Sequence, residues 1–183
     1  AAVVVEDCTV SAVGPSTEIT AEYPLADADT SIDAHGRCVL PAFVDSHTHA
    51  LFVGDRSEEF EAKLAGKSYQ EILADGGGIL RTVRNVREAT DDELAAQLRR
   101  HLDVMLANGT TTAEVKSGYG LDTDTELRML AVIDWVNETH PVDVVPTFMG
   151  AHAVPDDSTS EAYTDSVITE QLPAVADQGL AEF

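Results

Sequence analysis

Pro41-Ala42-Phe43-Val44-Asp45-Ser46-His47-Thr48-His49 is the stretch that decides how this chain folds. It continues a short apolar run that opens at Cys38-Val39-Leu40, and such a run over Cys38 to Val44 suits a buried strand of a parallel sheet. In an extended backbone, residues two apart project from the same face, so the imidazoles of His47 and His49 can point at one ion. Imidazole suits Zn and Fe, and the carboxyl-terminal ends of parallel barrel strands are where active sites collect. The pair is therefore a candidate metal site, the plainer alternative being two surface histidines in a loop.

Upstream, Val3 to Val13 alternates β-branched residues with turn formers until Gly14-Pro15 breaks it, which reads as short strands. Downstream, Ser68 with Glu71 and Thr90 with Glu93 form capping boxes that open helices. The second helix carries Leu94, Leu98, Leu102 and Met105 on one face and stops at Asn108-Gly109. Thr110 to Val115 is the next β-branched run, and Thr123 with Glu126 opens a helix bearing Leu127, Leu130 and Ile133. Val142 to Phe148 reads as a strand, Ser158 with Glu161 opens a further helix that Pro173 interrupts, and a fourth strand is expected at Leu180 to Phe183. Strands alternating with capped amphipathic helices predict a parallel sheet, because parallel neighbours need crossover connections.

The chain has 183 residues, 44% of them hydrophobic and 24% charged, which is a globular composition with no apolar run long enough to span a membrane. Its 33 acidic and 11 basic residues give a net charge of −22, which disfavours nucleic acid and other polyanionic partners. Cys8 and Cys38 form neither a metal motif nor a disulfide framework, and no secretory signal is evident, so a cytoplasmic location is expected. Gly76-Gly77-Gly78 lacks the Lys-Ser/Thr of a phosphate-binding loop and reads as a conformationally special loop.

Several long blocks in order carry a more specific message. The stretch from Pro41 to His49 resembles the first-strand metal motif of the amidohydrolase superfamily. Phe52 to Arg56, Gly66 to Tyr69, Gly76 to Ile79, Thr110 to Leu121 and Thr147 to Pro155 resemble one of its members, the imidazolonepropionase family of histidine degradation. The resemblance runs from about Gly36 onward. It implies residues 1–38 as part of a small β-sandwich-like domain and 39–183 as the first three βα units of a TIM-type (β/α)8 barrel of a metal-dependent hydrolase.

The resemblance also implies an activity: hydrolysis of the ring C–N bond of 4-imidazolone-5-propanoate to N-formimidoyl-L-glutamate, with one divalent ion, Zn or Fe, activating water. His47 and His49 match two metal ligands, and Arg56, Tyr119 and His152 match substrate-binding residues. A guanidinium grips a carboxylate bidentately, which fits an anionic substrate, although Arg56 read without the family is better explained by an ion pair with Glu58 or Glu59. Tyr119 and His152 each follow a strand and so fall at one end of the sheet, with a loop anchor and a structural histidine as their plainer readings. Lys116 is assigned no metal role, and Glu114 and Asp45 are read as structural or supporting groups.

The family's remaining metal ligands, from a later strand and near the barrel's end, and its proton-transferring glutamate have no counterpart here. The expectation is an inactive fragment of a chain of roughly 400 residues, homodimeric when complete. Another amidohydrolase, such as a cyclic-amide hydrolase or nucleobase deaminase, and a noncatalytic α/β module are the competing readings. The dispersed acidity, as at Asp91-Asp92-Glu93 and Asp122-Thr123-Asp124, is read as adaptation to high salt, where screening weakens self-repulsion. The melting temperature should therefore climb across a salt series; a value indifferent to salt would count against that reading.

Overall fold

Backbone hydrogen bonds sort the chain into two sheets that share no strand. A computed structural model describes residues 1–183, which divide into two compact units, Ala1–Pro41 and Ala42–Phe183. In the first, β1 (Ala2–Glu6) pairs antiparallel with β2 (Thr9–Gly14). The connecting residues Asp7 and Cys8 both have positive φ, 48° and 61°, the backbone twist that a two-residue hairpin requires. A short helix, α1 (Ser16–Glu22), follows Pro15 and buries Ile19.

The second unit holds a parallel sheet in the order β3 (Phe43–Thr48), β4 (Thr110–Lys116), β5 (Asp143–Thr147). Four helices link β3 to β4: α2 (Ser57–Leu64), α3 (Tyr69–Ala74), α4 (Ile79–Glu88) and α5 (Asp91–Ala107). The helix α6 (Thr123–Asn137) links β4 to β5, and α7 (Ser160–Ser166) and α8 (Leu172–Gln178) follow. A small antiparallel sheet followed by a parallel sheet with flanking helices is the opening of a TIM-barrel-like α/β fold, as the alternating pattern predicts.

The core lies between the helices and one face of this sheet. Ala113 and Val115 on β4 pack with Leu94, Leu98 and Leu102 of α5 and Met129, Ile133 and Val136 of α6, all 0% exposed. Both predicted capping boxes at α3 and α5 are formed, with reciprocal bonds between Ser68 and Glu71 and between Thr90 and Glu93. The helices α2 and α4 start at Arg56 and Gly78 without a side-chain cap, and so carry no start signal in the sequence.

Six expectations are corrected. The first barrel strand begins at Phe43 instead of Cys38, and Val39 and Leu40 are exposed. Its residues Phe43 and Val44 are exposed as well, because β3 is an edge of this sheet instead of a strand buried on both faces. The cap of α6 is Asp122, which accepts from the Thr125 amide, so Thr123 and Glu126 form no box; that of α7 is Thr159, one residue after Ser158. Pro173 does not end a helix: the π turn Val167–Gln171 precedes it, and α8 continues with the proline in its first turn, where its missing N–H is tolerated. Leu180 to Phe183 form no regular strand, yet the Glu182 amide donates to Pro146 and the Phe148 amide donates to Phe183 along the free edge of β5.

Truncation of a side chain at the centre of this core tests the packing. Leu98→Ala should lower the stability of the parallel-sheet unit by about 2–5 kcal/mol in denaturant unfolding. A loss below about 1 kcal/mol would contradict a core centred on the α5, α6 and β4 contact.

Candidate active site

The strand ends at one end of the parallel sheet position four of the five predicted site residues. His47 lies within β3 and His49 one residue beyond it; Tyr119 sits in the loop after β4; His152 closes a single 3-10 turn, Gly150–His152, after β5. Arg56 immediately precedes α2. This is the carboxyl-terminal end of a parallel sheet, where loops are free to carry chemistry.

Register explains why the two histidines look away from the helices. Asp45 pairs with Ala113 and Thr48 with Val115, so β3 spends three residues where β4 spends two. Paired residues in a sheet share a face, so the extra residue puts Thr48 on the helix-facing side beside Val115 and leaves His47 and His49 on the other. Glu114 and Lys116 lie on that same face by alternation with Ala113 and Val115. The Thr48 hydroxyl donates to the Glu114 carbonyl at 2.6 Å and pins the irregular segment.

Four rings then converge. The His49 ring centroid is 5.5 Å from that of His47, 5.6 Å from Tyr119 and 4.4 Å from His152, on which it stacks at 14°. Tyr119 and His152 are 5.2 Å apart. Burial, assisted by the neighbouring His152, His47 and Lys116, lowers the pKa of His49 to about 4 and keeps its ring neutral near pH 7. Burial pushes the Tyr119 hydroxyl up, with the charge of Arg56 acting weakly against it. His152 Nδ1 lies 3.0 Å from the Gly118 carbonyl; a carbonyl only accepts, so Nδ1 carries the proton and Nε2 is left as the free nitrogen.

Arg56 stands apart from this ring cluster. Its Nε and Nη2 both bind one oxygen of Glu59 at 2.7 Å, which leaves the Nη1 side of the guanidinium without a partner. The other Glu59 oxygen accepts from the Gly78 amide at 3.0 Å, so the glycine triplet belongs to the support of Arg56. Burial pushes the Glu59 carboxyl up, but the bonds from Arg56 and Gly78 outweigh it and hold the group below the usual carboxylate range. Lys116 donates to Glu114 at 2.6 Å, and Thr147 donates to the same oxygen at 2.8 Å. Two carboxylates that composition did not single out are thus structural to the site: Glu59, whose i,i+3 spacing from Arg56 is visible in the sequence, and Glu126, whose role is not.

Two imidazoles bound tetrahedrally to one ion place their ring centroids about 5 Å apart, given metal–nitrogen distances near 2.1 Å. The His47 and His49 separation of 5.5 Å suits that, and the buried His49 Nδ1 has no hydrogen-bond partner. No group of three or more His, Cys, Asp or Glu side chains is arranged to hold an ion. The pair therefore fits as part of a metal site and falls short of a complete one.

The titration of His49 follows from its surroundings. In the metal-free chain its ring signals should titrate near pH 4 by NMR, and a midpoint near 6.5 would show that the ring is not buried among cationic neighbours. Because the folded value lies below the unfolded one, this group's contribution to stability is intact above about pH 6.5 and is lost as pH falls through about 4.

No family model matches the chain. Individual relatives do. An imidazolonepropionase of Haloarcula marismortui is 65% identical over 182 residues, and one of Halobacterium salinarum is 64% identical over 182 residues. An imidazolonepropionase of Syntrophobacter fumaroxidans is 49% identical over 184 residues. Each alignment covers 100% of this chain and 43% of the relative, so the chain spans less than half the length of the proteins it matches. Matched at this identity along its full length, the chain belongs to the imidazolonepropionase family.

Proposed function

We propose that the complete protein of which this chain is part hydrolyses the ring C–N bond of 4-imidazolone-5-propanoate to N-formimidoyl-L-glutamate. The observation that carries this reading is the convergence of His47, His49, Tyr119 and His152 at one end of the parallel sheet, in a chain 65% identical to an imidazolonepropionase. In this reading His47 and His49 are two ligands of one divalent ion, Zn or Fe, and the other ligands and the proton-transferring group come from residues outside this chain. Residues 1–38 form part of a small β-rich domain, and 39–183 supply the first three βα units of the barrel.

The chain's own residues bind and orient the substrate. The free edge of the Arg56 guanidinium takes the propanoate carboxylate, while Glu59 fixes the opposite edge and prevents the side chain from wandering. The protonated Tyr119 hydroxyl hydrogen-bonds a polar atom of the ring, and the free Nε2 of His152 accepts from a ring N–H. The ion, when bound, makes water a nucleophile near neutral pH and polarises the ring carbonyl. His49, held neutral by burial, keeps a lone pair available for coordination.

In the complete protein, Arg56→Ala should raise KM for 4-imidazolone-5-propanoate about 100-fold while the bound metal stays at the parent level. An unchanged KM would remove Arg56 from the substrate site. The 183-residue chain alone should show no turnover, and activity there with tightly bound metal would overturn the division of the site between this chain and the rest.

A further inference from the structure

We propose that Glu126 is a positioning residue of the site: its buried carboxylate sets the loop Ser117 to Leu121 and thereby fixes the Tyr119 hydroxyl relative to His152. Glu126 lies in the first turn of α6 and is 0% exposed. One of its oxygens accepts from the Gly118 amide at 2.8 Å, and the other from the Gly120 and Leu121 amides at 2.7 and 2.9 Å. Tyr119 is therefore held between two amides clamped by the same carboxylate. The clamp extends to His152, whose Nδ1 donates to the carbonyl of Gly118.

A buried carboxylate is costly unless its oxygens are satisfied, and here backbone amides of the loop that precedes α6 satisfy both. The nearby cation does not serve it: Arg87 donates to the Gly120 carbonyl at 2.8 Å and pairs with Asp122 at 3.0 Å, adding a second restraint on the loop. The loop needs such restraint because its backbone is not one the sequence adopts by itself. Leu121 has φ 54°, unfavourable for a side-chain-bearing residue by about 1 kcal/mol or more.

The two glycines flanking Tyr119 fit the same device. A Cβ on Gly120 would sit 2.8 Å from the Glu126 amide nitrogen and 2.9 Å from its carboxylate oxygen; one on Gly118 would sit 2.7 Å from the Met149 carbonyl. These glycines let the loop approach Glu126 and the β5 loop, so their absent side chains are explained without a ligand. The inference rests on the reading of Tyr119 and His152 as substrate contacts, and it assigns Glu126 no contact with substrate.

The test uses the complete protein with Glu126→Gln, whose amide cannot accept at both ends. Expected are a fall in kcat/KM of about 100-fold with unchanged metal content, and a Tyr119→Phe change that costs far less in this variant than in the parent. Kinetics equal to the parent, or fully additive losses, would overturn the proposal and leave Glu126 a stabilising group only. If Glu126→Gln does not fold, Gly120→Ala displaces the loop while keeping the charge, and parent-like kinetics there would equally overturn it. If the parent does not turn over 4-imidazolone-5-propanoate, that function fails, and the 15N shifts of the His152 ring still decide the positioning. They should move in either variant that folds; an unmoved His152 tautomer would contradict the clamp.

Discussion

The register of β3 on β4 governs which way the histidines face: β4 spends an extra residue between the partners of Phe43 and Val44, and β3 returns it between Asp45 and Thr48. Without the second of these shifts the pairing of Asp45 with Ala113 would carry on to pair His47 with Val115 and drive its ring toward Leu98, Leu102 and the rest of the apolar layer under α5. A neutral imidazole could be buried there only with a hydrogen-bond partner, and it would be lost to solvent chemistry. The irregularity exchanges that position for Thr48, whose methyl group tolerates the core side and whose hydroxyl is spent on the Glu114 carbonyl. The polar face of the sheet then collects His47, His49, Glu114, Lys116 and Thr147 in one place.

The groups on that face are graded by what satisfies them. Glu114 is held below the usual carboxylate range first by the bond from Lys116, and one of its oxygens accepts from both Lys116 and Thr147. Lys116 thereby spends its charge within the sheet and presses on His49 only at longer range. His49 ends as the group with the unpartnered buried nitrogen. Arg56 presents a similar division, with one edge committed to Glu59 and one free. At Arg56 the Glu59 carboxylate fixes the side chain that needs a defined direction, and the neighbouring donor remains open.

Much of the fold was legible because local chemistry and tertiary structure agree there. The capping boxes at Ser68 and Thr90 and the Leu94, Leu98, Leu102 stripe need only neighbours in the sequence to be recognised. The limits of the first strand were not legible, since apolar Val39 and Leu40 resemble strand residues while the pairing with β4 begins only at Phe43 and runs on through the polar Asp45 to Thr48 segment. Glu126 misled for a related reason. Its spacing from Thr123 imitates a capping box, but Asp122 takes the cap, and the carboxylate is drawn instead to amides of a loop folded by contacts distant in sequence. The candidate site residues themselves were legible by resemblance; their separation into a four-ring cluster and an Arg56–Glu59 pair required the geometry.

In the proposed function His47 and His49 share one ion at the end of the parallel sheet. X-ray absorption on the metal-loaded complete protein measures it most directly. The account predicts imidazole scattering from the ion at about 2.0–2.1 Å, reduced by one ring in each of His47→Ala and His49→Ala. An ion whose coordination shell is unchanged by both substitutions would contradict it.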